Sequence, residues 1–204
     1  MTPPLLPLHA LCFAAAFLIG AVPTGYLVVR LCRGRDIRES GSGNIGTTNV
    51  IRTEGLPLGL LVLFIDAGKA FAVAFFFSRL FGEPRLYRVL LGLTAIVGNM
   101  FTPFLRFRGG KGVGSGLGVA AAISPLALVI SLAVFGGAVF TTRIVSVGSM
   151  AGAAIFALSS FLLYRFTGLG DVYGFAFSLL LFAAILFRHT SNLKRLFHGE
   201  ESRI

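Results

Sequence analysis

Three polar segments of this chain carry the residue types of an anion site. They are Ser40-Gly-Ser-Gly-Asn-Ile-Gly-Thr-Thr-Asn49, Phe107-Arg-Gly-Gly-Lys-Gly112 and Arg188-His-Thr-Ser-Asn-Leu-Lys-Arg195. Glycines let backbone N–H groups close around oxygens, and fixed cations neutralise them. In the first segment Ser42, Asn44, Thr48 and Asn49 supply neutral donors, and Arg52 follows one helical turn after Thr48. In the second, Arg108 and Lys111 flank Gly109 and Gly110 at the start of a predicted helix. A helix N-terminus attracts phosphate through its free N–H groups. Lysine adds a mobile point charge there and arginine a planar fork. In the third, His189, Asn192 and Arg195 are three apart and would share one face of a helix. The bland readings are a solvated turn, topogenic charge and a basic tail lying on headgroups.

The elements that must hold these segments are built for lipid. The chain has 204 residues, 55% hydrophobic and 13% charged, where soluble domains carry roughly 25% charge. Mean hydropathy is +0.86. This composition predicts an integral membrane protein, a single compact all-α unit over residues 1–204. The net charge of +10 then belongs to loops that set topology and meet anionic headgroups, not to nucleic-acid binding. The first Lys or Arg is Arg30, so the N-terminus has no basic n-region. The stretch Leu8–Leu31 is too long for a signal-peptide core and reads as a retained first span.

Apolar runs follow at Leu56–Leu80, Val89–Leu105, Val113–Thr142, Val145–Phe166 and Val172–Phe187. The run Val113–Thr142 holds Ser124-Pro125 near its middle. Proline lacks an N–H and disfavours helix in the preceding residue, so it marks a kink or a turn between two short spans. With a turn there are seven spans. One side then receives the Lys and Arg of residues 30–52, 106–111, 143 and 188–203, thirteen in all, against four at Arg79, Arg85, Arg88 and Arg165. The positive-inside rule places all three polar segments in the cytoplasm and the N-terminus outside. With six spans the third segment falls on the opposite side from the first two.

Gly112/Gly116, Gly114/Gly118 and Gly148/Gly152 have the small-xxx-small spacing of closely packed membrane helices. Asp66 and Lys69 stand three apart inside the second span. Intramembrane charges are paired or functional, and an ion pair that orients the helix is the simpler reading. Cys12 and Cys32, twenty residues apart, would be about 30 Å apart on one helix, too far for a disulfide.

Two nucleotide fingerprints are excluded. Gly41-Ser-Gly-Asn-Ile-Gly46 matches G-x-G-x-x-G in form, but it follows the charged run Arg33–Glu39 and no strand. Gly109-Gly-Lys-Gly112 lacks the Ser/Thr after lysine, and Leu105 stands where the first glycine of a Walker A motif belongs. No His, Cys, Asp or Glu set has metal-ligand spacing. No Ser-His-Asp set is evident, and Lys194, not an acid, stands five residues after His189.

Together the motifs resemble those of the bacterial acyl-phosphate-dependent glycerol-3-phosphate acyltransferases, the PlsY family. The resemblance rests on Gly41–Asn49 with Arg52, on Gly109-Gly-Lys-Gly112, and on His189-x-x-Asn192-x-x-Arg195-Leu continuing to Gly199 and Glu200. It covers the chain from the first span to Glu200. Three motifs in order at these distances are specific, though each alone is modest. The sequence departs from the family at few places. Asn99 stands where the family has histidine, Pro103 is shifted by one residue, Ser115 replaces threonine, and Ala70 replaces the glycine after Lys69.

The resemblance implies seven spans with the N-terminus outside and the motifs in the cytoplasm, at the bacterial inner membrane. It implies transfer of a fatty acyl chain from acyl phosphate to the 1-hydroxyl of glycerol 3-phosphate, giving lysophosphatidate and inorganic phosphate, with no cofactor, metal or nucleic acid. Catalysis would rest on positioning and charge stabilisation, the donor's phosphate taking the hydroxyl proton. Ser42, Lys111, His189 and Asn192 are then the candidate catalytic residues. Asn44, Thr48, Arg52, Gly110, Lys111, Ser149 and Arg195 are the candidate phosphate-binding set, with Ser149 preferred to Ser146 as the family's site serine. The main rival is a membrane transporter of a phosphorylated metabolite, which also places glycines and helix ends at anions but at the bilayer midplane. A non-catalytic lipid-binding scaffold is the weaker rival.

Overall fold

The computed structural model describes residues 6–203. Among these residues the elements are α-helices joined by short helical turns, with no strand. The first apolar run, Leu8–Leu31, is a bent pair of helices rather than one straight helix. Helix α1 (Leu6–Ala21) ends before Pro23, and α2 (Thr24–Arg33) restarts after it at a bend of 43°. Proline donates no hydrogen bond and disfavours helix at Val22.

After the Ser40–Gly46 loop, α3 (Thr47–Glu54) runs to Gly55, and α4 (Leu56–Phe76) and α5 (Pro84–Met100) follow. The chain reverses tightly after α5. Arg106 and Phe107 adopt φ of 54° and 61°, a left-handed pair of non-glycine residues. Helix α6 (Val113–Ile123) stops before Ser124, and α7 (Pro125–Thr142) begins at Pro125. The chain therefore breaks where proline predicts. Helix α8 (Val145–Leu162) passes into a π-helical turn, Leu163–Thr167. The Asp171 side chain accepts the Gly174 N–H at 2.7 Å and caps α9 (Val172–Arg188). Helix α10 (Thr190–Phe197) leaves at 57°.

Among the described residues four helical segments are, by length and composition, fit to cross a membrane: Leu56–Leu80, Pro84–Leu105, Pro125–Thr142 and Val145–Thr167. The number rises to six if each bent pair, α1 with α2 and α9 with α10, is one span. In the second pair the apolar stretch ends at Phe187, and α10 is a polar, basic extension. Helix α6 is apolar, but its 11 residues reach only about 17 Å, against a hydrocarbon thickness of about 30 Å.

The chain forms two compact units. The first runs to Gly110 and includes Gly114–Ala122; the second comprises Lys111–Val113 and the residues from Ile123 onward. In the first unit α1 and α4 pack on α5, and α2 and α3 pack on α4. Gly118 of α6 lies so close to the Ala67 carbonyl of α4 that a Cβ would collide with it, as small-xxx-small packing requires. One core joins Cys12, Ala16, Val73, Phe81, Leu91 and Ala95. A second joins Val29, Ile37, Ile45, Val50, Val62 and Leu105. In the second unit α8 packs on α7 and α9, and Ser131 Oγ donates to the Gly152 carbonyl at 2.7 Å. Cys12 is buried, Cys32 is exposed, and both are free thiols.

Candidate active site

The Ser40–Asn49 loop is built around Asn49. Its side chain is buried, with Oδ1 accepting the Ser42 N–H at 2.8 Å. Its amide donates to the carbonyls of Asn44 at 2.8 Å and Ser40 at 3.0 Å, and lies 3.4 Å from that of Ile37. Asn49 therefore holds the loop's shape and is not an outward donor. Gly41 and Gly43 take φ of 59° and 69° to make this curl possible. Asn44 Oδ1 accepts the Gly46 N–H at 2.8 Å, and its Nδ2 lies 3.5 Å from the Gly109 carbonyl. The first two polar segments thus approach each other at Gly109.

Ser42 is exposed and Thr48 half-buried in the first turn of α3. Arg52, one turn later, is half-buried, and its Nε is buried without a hydrogen-bond partner. Glu54, the acid of the same helix, is committed elsewhere, to Arg35 at 2.7 Å and Arg33 at 3.7 Å. The Arg35 hydrogen bond holds the Glu54 carboxyl below its ordinary pKa. The N–H groups of Gly109 and Gly110 donate to the Met100 and Asn99 carbonyls at 3.2 and 3.0 Å, closing the end of α5. The amide of Gly110 is therefore engaged by the helix end in this structure.

In the second unit Lys111 Nζ donates to Asn192 Oδ1 at 2.5 Å. The Asn192 amide donates in turn to Glu201 Oε1. Ser146 Oγ donates to the same oxygen at 2.8 Å, and Arg195 Nε donates to Oε2 at 2.7 Å. Burial pushes the Glu201 carboxyl up, but the hydrogen bonds from Asn192, Ser146 and Arg195 outweigh it and hold it below its ordinary pKa. The Asn192 amide thus links the Lys111 ammonium to the Glu201 carboxylate.

His189 sits at the bend beyond the apolar stretch of α9, 2% exposed. Its Nδ1 is 2.8 Å from the Ile185 carbonyl, so Nδ1 carries the proton and Nε2 is the acceptor of the neutral ring. Burial, then the Lys111 charge, pushes its pKa down to about 4. The ring is neutral at pH 7.

The structure brings Lys111, Asn192 and Arg195 into one network with Ser146 and Glu201. Ser149 is buried, and its hydroxyl donates back to the Val145 carbonyl at 2.9 Å. Sequence reasoning missed Glu201. Its signal was a second acid, two residues after Gly199 and next to Glu200, in an otherwise basic tail. Among the described residues no three His, Cys, Asp or Glu side chains are placed to hold a metal ion.

The sequence model described as "Glycerol-3-phosphate acyltransferase" matches residues 10–199. A relative of that name from Anaeromyxobacter sp. (strain Fw109-5) is 43% identical over 195 residues, covering 94% of each chain. Another, from Geobacter sulfurreducens, is 39% identical over 93% of this chain and 94% of its own. The solved structure of PlsY (YgiH), an integral membrane glycerol 3-phosphate acyltransferase, superposes in its glycerol 3-phosphate form with a TM-score of 0.86 at 34% identity, covering 96% of this chain and 94% of that one. Its lysophosphatidic acid form superposes with a TM-score of 0.84 at 33% identity.

Proposed function

Because the chain belongs to the glycerol-3-phosphate acyltransferase family, we propose that it acylates the 1-hydroxyl of glycerol 3-phosphate from an acyl phosphate. It is a membrane-integral acyltransferase of phospholipid synthesis. In the proposed reaction the substrate's hydroxyl oxygen attacks the acyl carbonyl carbon. The bond from that carbon to the phosphate oxygen breaks, and the hydroxyl proton passes to the departing phosphate. The products are lysophosphatidate and inorganic phosphate.

The observation that carries the substrate class is Arg52. A buried guanidinium N–H without an acceptor is uncommon in a folded protein and points to an anionic ligand. Arg52 would offer its fork to a phosphate, with Thr48, Asn44 and Ser42 as neutral donors on the same loop and helix. Lys111, held at its Nζ by Asn192, would supply a second positive charge to a phosphate. Arg195 and Glu201 would fix Asn192, and Ser146 or Ser149 would line the start of α8. His189, neutral and with Nδ1 donating to Ile185, fits a hydrogen-bonding role better than that of a cation. This chemistry leans on positioning and charge and uses no dedicated protein base.

We further propose one membrane-embedded acyltransferase domain in the bacterial inner membrane, with seven membrane-inserted segments: α1 with α2, then α4, α5, α6, α7, α8 and α9. The N-terminus would lie outside and the polar segments in the cytoplasm. The thirteen-to-four charge split and the break before Pro125 support this arrangement. Purified protein supplied with acyl phosphate and labelled glycerol 3-phosphate should form labelled lysophosphatidate. Proteoliposomes that only carried label across the bilayer would mark a transporter instead.

A further inference from the structure

Asp66 and Lys69 form a buried ion pair inside α4, with Lys69 Nζ 2.7 Å from Asp66 Oδ1. An i,i+3 pair can be satisfied within its own helix, but this one reaches out. Lys69 Nζ donates to the Val22 carbonyl at 2.6 Å and to Thr24 Oγ1 at 3.2 Å. Thr24 Oγ1 donates to Asp66 Oδ1 at 2.7 Å. Val22 and Thr24 flank Pro23, where α1 ends and α2 begins. The ion pair therefore holds both ends of the break that proline opens: a cation on the last carbonyl before it and an anion on the first side chain after it.

The fixed break sets the place of the anion-candidate loop. Gly25 follows Thr24, and a Cβ on it would collide with the Ile45 carbonyl. The backbone of α2 thus abuts the backbone of the loop at Ile45. The Ile45 side chain is buried with Val29 of α2 and Val62 of α4, the latter one turn before Asp66. Ile45 sits between Asn44 and Gly46, which are tied by the Asn44 side chain. On its other side Asp66 faces the first turn of α6, where a Cβ on Gly114 would stand 3.4 Å from the Asp66 Cβ.

We propose that Thr24, Asp66 and Lys69 are positioning residues for the Ser40–Asn49 loop, acting on glycerol 3-phosphate affinity through the α1–α2 break. The inference rests on the acyltransferase reading above. Thr24→Val keeps side-chain shape but removes the hydroxyl that joins the break to the ion pair. At a temperature where the variant is folded, the KM for glycerol 3-phosphate should rise at least about fivefold with kcat within about twofold, the pattern of lost uniform binding. Thr24→Ser, which restores the hydroxyl, should return KM to within about twofold of the parent. Leu91→Ala, in the other core of the same unit, should lower Tm without moving KM. Hydrogen exchange gives a readout that needs no turnover: amides of residues 40–49 should exchange faster in Thr24→Val and unchanged in Leu91→Ala. If Thr24→Val lowered Tm but left both KM and loop exchange at parental values, the positioning role would be wrong. If the parent transferred no acyl group, the reaction assignment would fail, while the exchange comparison would still decide the coupling of break and loop.

Discussion

Lys111 Nζ and Asn192 Oδ1 lie 2.5 Å apart, joining residues separated by 81 positions of sequence. The contact dictates how the amide must face. With its oxygen on the ammonium, Asn192 turns its NH₂ to a carboxylate, and Glu201 is the one it meets. A carboxylate in the C-terminal tail thereby fixes the amide that meets a lysine of the Gly-Gly-Lys-Gly segment.

Lys111→Ala should cost on the order of 3 kcal/mol of transition-state stabilisation, at least about a hundredfold in rate. Lys111→Arg should also be poor, since a planar fork does not replace a point charge. Asn99→Ala makes the contrast. Asn99 holds Gly110 through its carbonyl, which alanine keeps, so activity should stay within about tenfold and the loss appear as roughly 1 kcal/mol of stability. A folded Lys111→Ala with near-full acyl transfer, beside an inactive Asn99→Ala, would place the phosphate elsewhere.

Glu201 should give stability a specific pH dependence. Its folded pKa lies below the ordinary 4.5, so the folded state holds the carboxylate more tightly than the unfolded state does. That contribution is complete above the ordinary value and is lost as pH falls through the folded one. Glu201→Gln should therefore lower Tm at pH 7, and its gap from the parent should shrink on acidification. An equal gap at pH 3 and pH 7 would mean that charge is not what the cluster uses.

Turnover should be independent of metal and nucleotide. Saturating EDTA should leave the rate of acyl transfer from acyl phosphate unchanged, and added ATP should not raise it. A strict requirement for Mg²⁺ would count against a mechanism resting on Lys111 and Arg52.

Topology is open to thiol labelling. In a background lacking Cys12 and Cys32, single cysteines at positions 44, 111 and 195 should share one labelling pattern with an impermeant reagent, the one expected for the cytoplasm. Labelling of position 195 from outside, with 44 and 111 protected, would remove the seven-segment arrangement.

Helix type and the polar segments were legible in the sequence because apolar runs and glycine-cation clusters are local features. Pro125 predicts a turn or a kink, and the helix does end there. Pro23 has the same chemistry but is hidden inside an apolar run, because hydropathy averages over a window and does not register a missing N–H. Asn49 looked like one donor among four. Only the folded loop shows that its amide is spent on the loop's own carbonyls. Glu201 escaped because its partners Ser146 and Asn192 are 55 and nine positions away, and such distances leave no trace in spacing. The bend at His189 was hidden for a related reason. A regular three-residue spacing reads as one continuous helix, whereas α9 ends and α10 turns away at that residue.

The left-handed pair at Arg106 and Phe107 has a consequence for how the first unit breathes. Each such residue costs about 1–2 kcal/mol relative to ordinary backbone. Here that cost is offset by a reversal that seats four amides: Phe107 on Thr102, Arg108 on Leu105, Gly109 on Met100 and Gly110 on Asn99. A turn that is costly in itself and held by its bonds opens as a block, since losing one bond leaves the strain to the others. The end of α5 and the two glycines should therefore behave as a single latch, closed or undone together, whose opening needs no unfolding of the helices on either side.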